Sequence, residues 1–247
     1  MANKKTTERF DRILIAVRSI LRERGDINFT MKDVSVRAGV APATVFNLLG
    51  NKDGLFYALL SQLLDDLFIG VRQYKATDPL QHCIEATDYV VELFLSDPIV
   101  FRELFLVFLG TRDELHRPWF MHRSLSFWRH SVSNAVGQGL VPVVELEDDA
   151  LPRTLMLMFI GSVDLWVHGD LNDQGFRAQA LYGSALVVLG AASGDAGGLR
   201  KRLAEIRQTL PRHHTFLRHL VPAGTKSRRP ERVAVRHNDP NAAARQS

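Results

Sequence analysis

The sequence predicts an all-α protein, with an N-terminal three-helix helix-turn-helix domain ahead of a larger helical bundle. Two observations predict it. Apolar residues recur at helical spacing along most of the chain, and neither βαβ alternation nor a hairpin signal interrupts them. Charge is also divided: residues 1–55 carry ten Lys/Arg against six Asp/Glu, and residues 56–199 carry nine against eighteen. A basic first module and an acidic second one imply two units with different partners.

The first helix is marked by Phe10, Ile13, Leu14, Val17, Ile20 and Leu21, and Gly25 ends it. Residues 1–8, with Lys4 and Lys5, are expected to form an unordered arm before it. Thr30 then suits an N-cap, and Asp33 three residues on completes a capping box. Phe29 and Val34 occupy the staple positions. These signals predict a helix over 31–38, closed by Gly39 in the left-handed conformation. Val40 is expected to bury in the turn.

Pro42 fits the first position of the next helix, over 42–48. Ala41 is a poor cap there, weaker by roughly 1 kcal/mol than Ser or Asp. Val45 and Leu49 are four apart and face the core, which leaves Ala43, Thr44 and Asn47 on the opposite side. Asn51 can cap a fourth helix, along which Leu55, Leu59, Leu63 and Leu67 repeat.

Two short helices around a tight turn present the second one to the DNA major groove. The side chains suit that use. Small Ala43 permits close approach, Thr44 can bond a phosphate or touch a thymine methyl, and Asn47 can bond an adenine edge twice. Lys52, in the first turn of the fourth helix, can meet a phosphate.

Further helices are predicted over 79–95, 98–109, 118–137, 149–168, 175–192 and 199–220, with Pro79, Pro98 and Pro118 marking starts. The units are a DNA-binding domain (1–55), a helical domain (56–221) and a basic tail without apolar periodicity (222–247), expected to be disordered. Such a tail adds non-specific DNA affinity or is only a solvated charge run.

Residues 9–60 resemble the DNA-binding domain of the TetR family of transcriptional regulators. The resemblance rests on the Ala38-Gly39-Val40 turn, Pro42, Thr44, the aromatic Phe46, and Lys52-Asp53-Gly54-Leu55. Family members usually carry Tyr or His where this chain has Leu48, Phe where it has Leu49, and often Tyr where it has Phe46. Phe46 and Leu48 cannot donate to a phosphate as Tyr or His can. Gly54 is atypical early in a helix and costs about 1 kcal/mol against Ala.

The resemblance implies a ligand-responsive homodimeric repressor on a palindromic operator in double-stranded DNA, its DNA contacts drawn from Thr30, Ala43, Thr44, Phe46, Asn47 and Lys52. It implies dimerisation through residues 149–168 (Asp149 to His168) and 175–192 (Gly175 to Ala192). The second segment is rich in small residues, Ala178, Ala180, Gly183, Ser184, Ala185 and Gly190, which would let partner helices approach closely. It also implies a pocket for a small apolar or aromatic effector. Phe101, Phe105, Trp119, Phe127, Trp128, Phe159 and Trp166 are the candidate lining residues, although any helical core uses the same types. Glu103, His122, Arg123, Asp164 and His168 are polar candidates beside them.

The single Cys83 excludes an internal disulfide and suits a reducing cytosol. No signal peptide or membrane-spanning run is read, so the expectation is a soluble, cytoplasmic protein. The chain carries no His-Glu-x-x-His, Gly-x-Ser-x-Gly, phosphate-loop or Cys-x-x-Cys motif. Neither a cofactor nor a metal is expected. A regulator without an effector and a helical enzyme with dispersed residues are the alternatives.

Overall fold

The computed structural model describes residues 2–71 and 78–210. Among them it has helices and no strands: α1 (Ala2–Arg24), α2 (Met31–Ala38), α3 (Pro42–Leu49), α4 (Lys52–Val71), α5 (Pro79–Ser96), α6 (Pro98–Gly110), α7 (Arg117–Gly137), α8 (Val144–Glu147), α9 (Ala150–Val167), α10 (Asp173–Ala191) and α11 (Gly197–Thr209). The expected tail, 222–247, and the end of the last predicted helix lie outside the described residues.

Three elements differ from expectation. The last helix, expected over 199–220, ends at Thr209, where Leu210 is extended. The helix around Phe10 begins at Ala2, so the arm expected over 1–8 is helical from its second residue. Its exposed polar residues carry no apolar period, and their modest propensities suffice once the buried turns nucleate the helix. The single turn α8 was not foreseen. It is too short to show a period, and Val143 and Val144 beside it face solvent.

α1, α2 and α3 pack around Ile13, Leu14, Val17, Val34, Val45 and Leu49, all buried. α4 leaves this cluster and continues into the bundle, where Leu59, Leu63, Leu64 and Leu67 are buried. The division proposed between residues 55 and 56 therefore falls inside one unbroken helix. By length and composition α4 and α9 could cross a membrane, yet most of the apolar stretch of α4 is buried within this fold.

Phe94 of α5 is the centre of the bundle core. Its ring lies 4.8 Å from Phe105, 5.1 Å from Phe101, 5.6 Å from Phe159, and 6.1 Å from both Trp166 and Phe176. Trp166 is fully buried, and its indole N–H donates to Asp173 at 2.8 Å. Arg102 pairs with the same carboxylate at 2.9 Å and lies over the indole. The polar edge of a buried Trp is thus satisfied.

The small residues of α10 point inward. Ala178, Ala180, Gly183, Ser184 and Ala185 are buried in the single chain. The Ser184 hydroxyl accepts from Thr87 of α5 at 2.9 Å, and a Cβ on Gly183 would lie 2.5 Å from Met158 Sδ of α9. The expectation that this stripe meets a partner subunit is corrected: only Gly190 of the six is exposed, because the close approach is used between α5, α9 and α10.

The α3–α4 junction is the tightest point of the N-terminal region. Gly50 has φ +71° and ψ −73°, and Asn51 N–H donates to Leu49 O at 2.8 Å, a γ-turn of the strained hand that Gly tolerates best. Asn51 Oδ1 caps α4 by accepting from Gly54 N–H at 2.8 Å, as expected. A Cβ on Gly54 would lie 2.1 Å from Leu49 O. The glycine that looked unfavourable is required by this backbone contact. Gly54→Ala should therefore destabilise the protein by about 1–3 kcal/mol in urea unfolding, against the gain of about 1 kcal/mol that helix propensity alone gives. A more stable variant would show that α4 can shift away from Leu49 freely.

Candidate nucleic-acid interface

The α2–turn–α3 unit is held by local backbone chemistry. Thr30 Oγ1 accepts from Asp33 N–H at 3.1 Å, and Asp33 Oδ2 accepts from Thr30 N–H at 2.8 Å, closing the capping box. The Thr30 backbone N–H and then its side chain, donating to the carboxylate, hold the Asp33 carboxyl below its ordinary pKa. Gly39 is left-handed at φ 62°, and the pairs Val40 N–H to Ser35 O and Gly39 N–H to Val36 O form a Schellman motif. Ala41 makes no side-chain cap on α3, as its residue type dictates.

α2 is braced against α1. Arg37 forms two 2.6 Å hydrogen bonds to the Glu23 carboxylate and one of 2.7 Å to Ser19 Oγ. Arg37 pulls the Glu23 carboxyl down to about 2. A second link ties α1 to the bundle, where Arg22 pairs with Asp97 at 2.6 Å. Neither was visible in the sequence, since partners 14 and 75 residues apart leave no periodic signal.

On α3, Ala43, Phe46 and Asn47 are exposed, Thr44 and Leu48 are half-buried, and Val45 and Leu49 are buried. The spacing i, i+3, i+4 sets the three exposed residues on one face. Phe46 keeps 50% of its surface in solvent, high for a phenyl ring. Thr30 stands exposed at the N-terminus of α2.

Lys52 is placed differently from expectation. Its ammonium donates to the carbonyls of Ile27 and of Phe29, the latter at 3.0 Å, and lies 4.5 Å from the centre of the Phe29 ring. Partial burial lowers its pKa. Lys52 therefore ties the start of α4 to the α1–α2 loop. The signal in the sequence was the lysine itself, which serves a phosphate or a set of carbonyls equally well.

Four of the candidate effector residues come together. Phe105, Phe127, Trp128 and Phe159 line an apolar cavity with Leu63, Leu64 and Leu67 of α4. Its volume is about 40 Å³, whereas a cavity that accepts benzene measures about 150 Å³. Phe101 and Trp166 are buried outside it. Trp119 stands apart, 49% exposed, with the Arg123 guanidinium 4.9 Å from its ring centre. It borders an open groove between the N-terminal helices and α7. Of the polar candidates, Arg123 pairs with Asp65 of α4 at 2.6 Å and His168 with Asp164 at 3.4 Å, while burial raises the Glu103 pKa. Among the described residues no cluster of His, Cys, Asp or Glu could hold a metal ion.

Solved structures share this architecture. A TetR transcriptional regulator from Rhodococcus sp. RHA1 superposes with a TM-score of 0.60 at 18% identity, over 74% of this chain and 97% of that one. A TetR-family regulator from Syntrophomonas wolfei gives 0.63 at 17% identity, over 76% and 99%. RolR in complex with resorcinol gives 0.59 at 18% identity, over 85% and 96%.

The chain has the TetR-regulator fold.

No family model and no curated protein matches the sequence. Within the TetR fold, α2 and α3 are the helix-turn-helix and α4 is the helix that leaves it for the bundle. Lys52→Met removes the ammonium from two carbonyls of this frame. It should lower stability by about 1–3 kcal/mol, read as an earlier urea midpoint. An unchanged midpoint with weaker binding to all DNA would return Lys52 to the role of phosphate contact.

Proposed function

We propose that the protein is a sequence-specific DNA-binding transcriptional regulator, a homodimer that represses from a palindromic operator. The observation that carries the reading is the exposed Ala43–Phe46–Asn47 face of α3, set on a capped helix-turn-helix in the basic part of the chain. Asn47 reads an adenine edge, Thr44 and Thr30 serve phosphates, and Ala43 lets the helix approach the bases. The protein works in the cytoplasm and is not an enzyme. Non-specific binding is electrostatic, so the test is selection from a random duplex library near physiological salt. A palindrome should be enriched. Asn47→Ala should then lose about 1–3 kcal/mol of preference at one base position of each half-site. Equal loss on specific and random DNA would remove Asn47 as a base reader.

The dimer is built by the outer faces of α9 and α10. Leu157 and Gly161 are exposed on α9, and Leu186 and Gly190 on α10, with Ile160, Leu165 and Tyr182 half-buried beside them. This face repeats at helical spacing and has no cover among the described residues. A two-fold pairing there would set two copies of α3 one helical turn of DNA apart. Sedimentation should give a dimer for the wild type and a monomer for Leu157→Arg combined with Leu186→Arg. A wild-type monomer at micromolar concentration would sink the palindrome as well.

The effector reading places a small apolar or aromatic molecule among Phe105, Phe127, Trp128 and Phe159; the fold it shares with a resorcinol-bound regulator supports this. The small cavity favours the second reading, a regulator controlled without an effector. Titration with resorcinol and larger aromatics, followed by Trp128 fluorescence in a Trp119→Phe, Trp166→Phe background, separates the two.

A further inference from the structure

We propose that Phe46 is a base reader, recognising the C5-methyl group of a thymine in each half-site. Its ring and the Asn47 amide thereby make adjacent A·T pairs the centre of the half-site. The assignment rests on the DNA-binding reading of α3 and deepens it.

The argument starts from what the outer face of α3 offers. Phe46 is half exposed, one turn beyond the exposed Ala43 and next to the exposed Asn47. A phenyl ring can neither donate to nor accept from a phosphate, and Leu48 adds no donor. Among the described residues nothing covers the exposed half of Phe46, and its surface is lost from water when something apolar covers it. The major groove has one apolar group, the thymine methyl, and Phe is among the side chains that match it. Ala43 has no side chain long enough to hold the helix away from the base edges. Asn47 can use both atoms of its amide only when α3 lies deep enough to meet an adenine N6 and N7. A helix at that depth carries its neighbour Phe46 past the backbone and into the groove.

The experiment replaces each thymine of the selected operator, one at a time, with deoxyuridine, which removes only the methyl group. At one position per half-site the wild-type protein should bind roughly fourfold more weakly, the loss expected for one buried methyl. Phe46→Ala should bind the thymine operator more weakly and be indifferent to that replacement. Val36→Ala removes an equally apolar side chain from α2, 74% exposed, and should keep the full methyl dependence. Phe46 faces solvent, so thermal unfolding of Phe46→Ala should match the wild type. If no thymine responds to methyl loss while Phe46→Tyr tightens specific and random duplex alike, the ring lies against the sugar–phosphate backbone and the assignment is overturned. If selection enriches no sequence at all, the DNA-reading itself fails, a result separate from methyl indifference on an enriched site.

Discussion

The contact between the backbone at Gly54 and the carbonyl of Leu49 constrains the rest of the molecule. There is no room for a single methyl group between the first turn of α4 and the last residue of α3. Gly50 turns the chain sharply, Asn51 caps α4, and Lys52 holds the same turn to the α1–α2 loop. Four consecutive contacts of different kinds thus fix α4 to the helix-turn-helix. Three of them are local in sequence, and Lys52 reaches back to the carbonyls of Ile27 and Phe29, so all lie within the N-terminal helices and the start of α4. The N-terminal helices and the start of α4 are consequently closely joined, and residue 55 lies within the unbroken helix α4.

The other end of α4 belongs to a core of another kind. Its leucines meet a cluster of aromatic rings with Phe94 at the centre, where the Trp166 indole N–H is paired with Asp173 and the buried Tyr57 hydroxyl beside Phe108 has no hydrogen-bond partner among the described residues. Aromatic packing is non-directional apart from edge and face preferences, so rings can move by small rotations without losing burial. The helix-turn-helix lacks that freedom, because capping boxes and Schellman turns are either made or broken. One helix therefore joins a unit with discrete hydrogen bonds to a unit with adjustable packing.

The parts of this arrangement legible in the sequence were those with local causes. The limits of α2 were given by Thr30, Asp33 and Gly39, and Pro79, Pro98 and Pro118 stand at or next to the starts of their helices. The exposed face of α3 followed from Val45 and Leu49, since a short helix with two buried positions has only one way to turn. What was not legible depended on contacts distant in sequence. Lys52 could serve a phosphate or backbone carbonyls, and only the position of the α1–α2 loop decided between them. The small residues of α10 announced a close approach but not its partner, and α5 and α9 turned out to supply it. Trp119 and Phe159 are equivalent as residue types. One lies at the rim of an open groove and the other in the core because α7 starts at the surface and α9 crosses the centre.

The size of the bundle cavity joins these points to regulation. An occupant larger than about 40 Å³ needs its walls to move. Those walls are Leu63, Leu64 and Leu67 on one side and residues of α5, α6, α7 and α9 on the other. α5 and α9 are both packed against α10 through its small residues, where sliding would clash at Gly183 and Met158. α4 is held as closely: Leu63, Leu64 and Leu67 are buried, a Cβ on Gly70 would lie 1.9 Å from Tyr89 Oη of α5, and Arg123–Asp65 is its one ion pair to α7 among the described residues. Under the proposed regulation, a displacement of its bundle end would reach α3 through the close Gly54–Leu49 contact. In the proposed dimer, a shift in the separation of two recognition helices by this route would need a coupling of only about 1–3 kcal/mol to change DNA affinity 5- to 150-fold. Rigidity at the junction and adjustable packing in the core are thus the two properties that such a switch requires, and α4 is the element in which they meet.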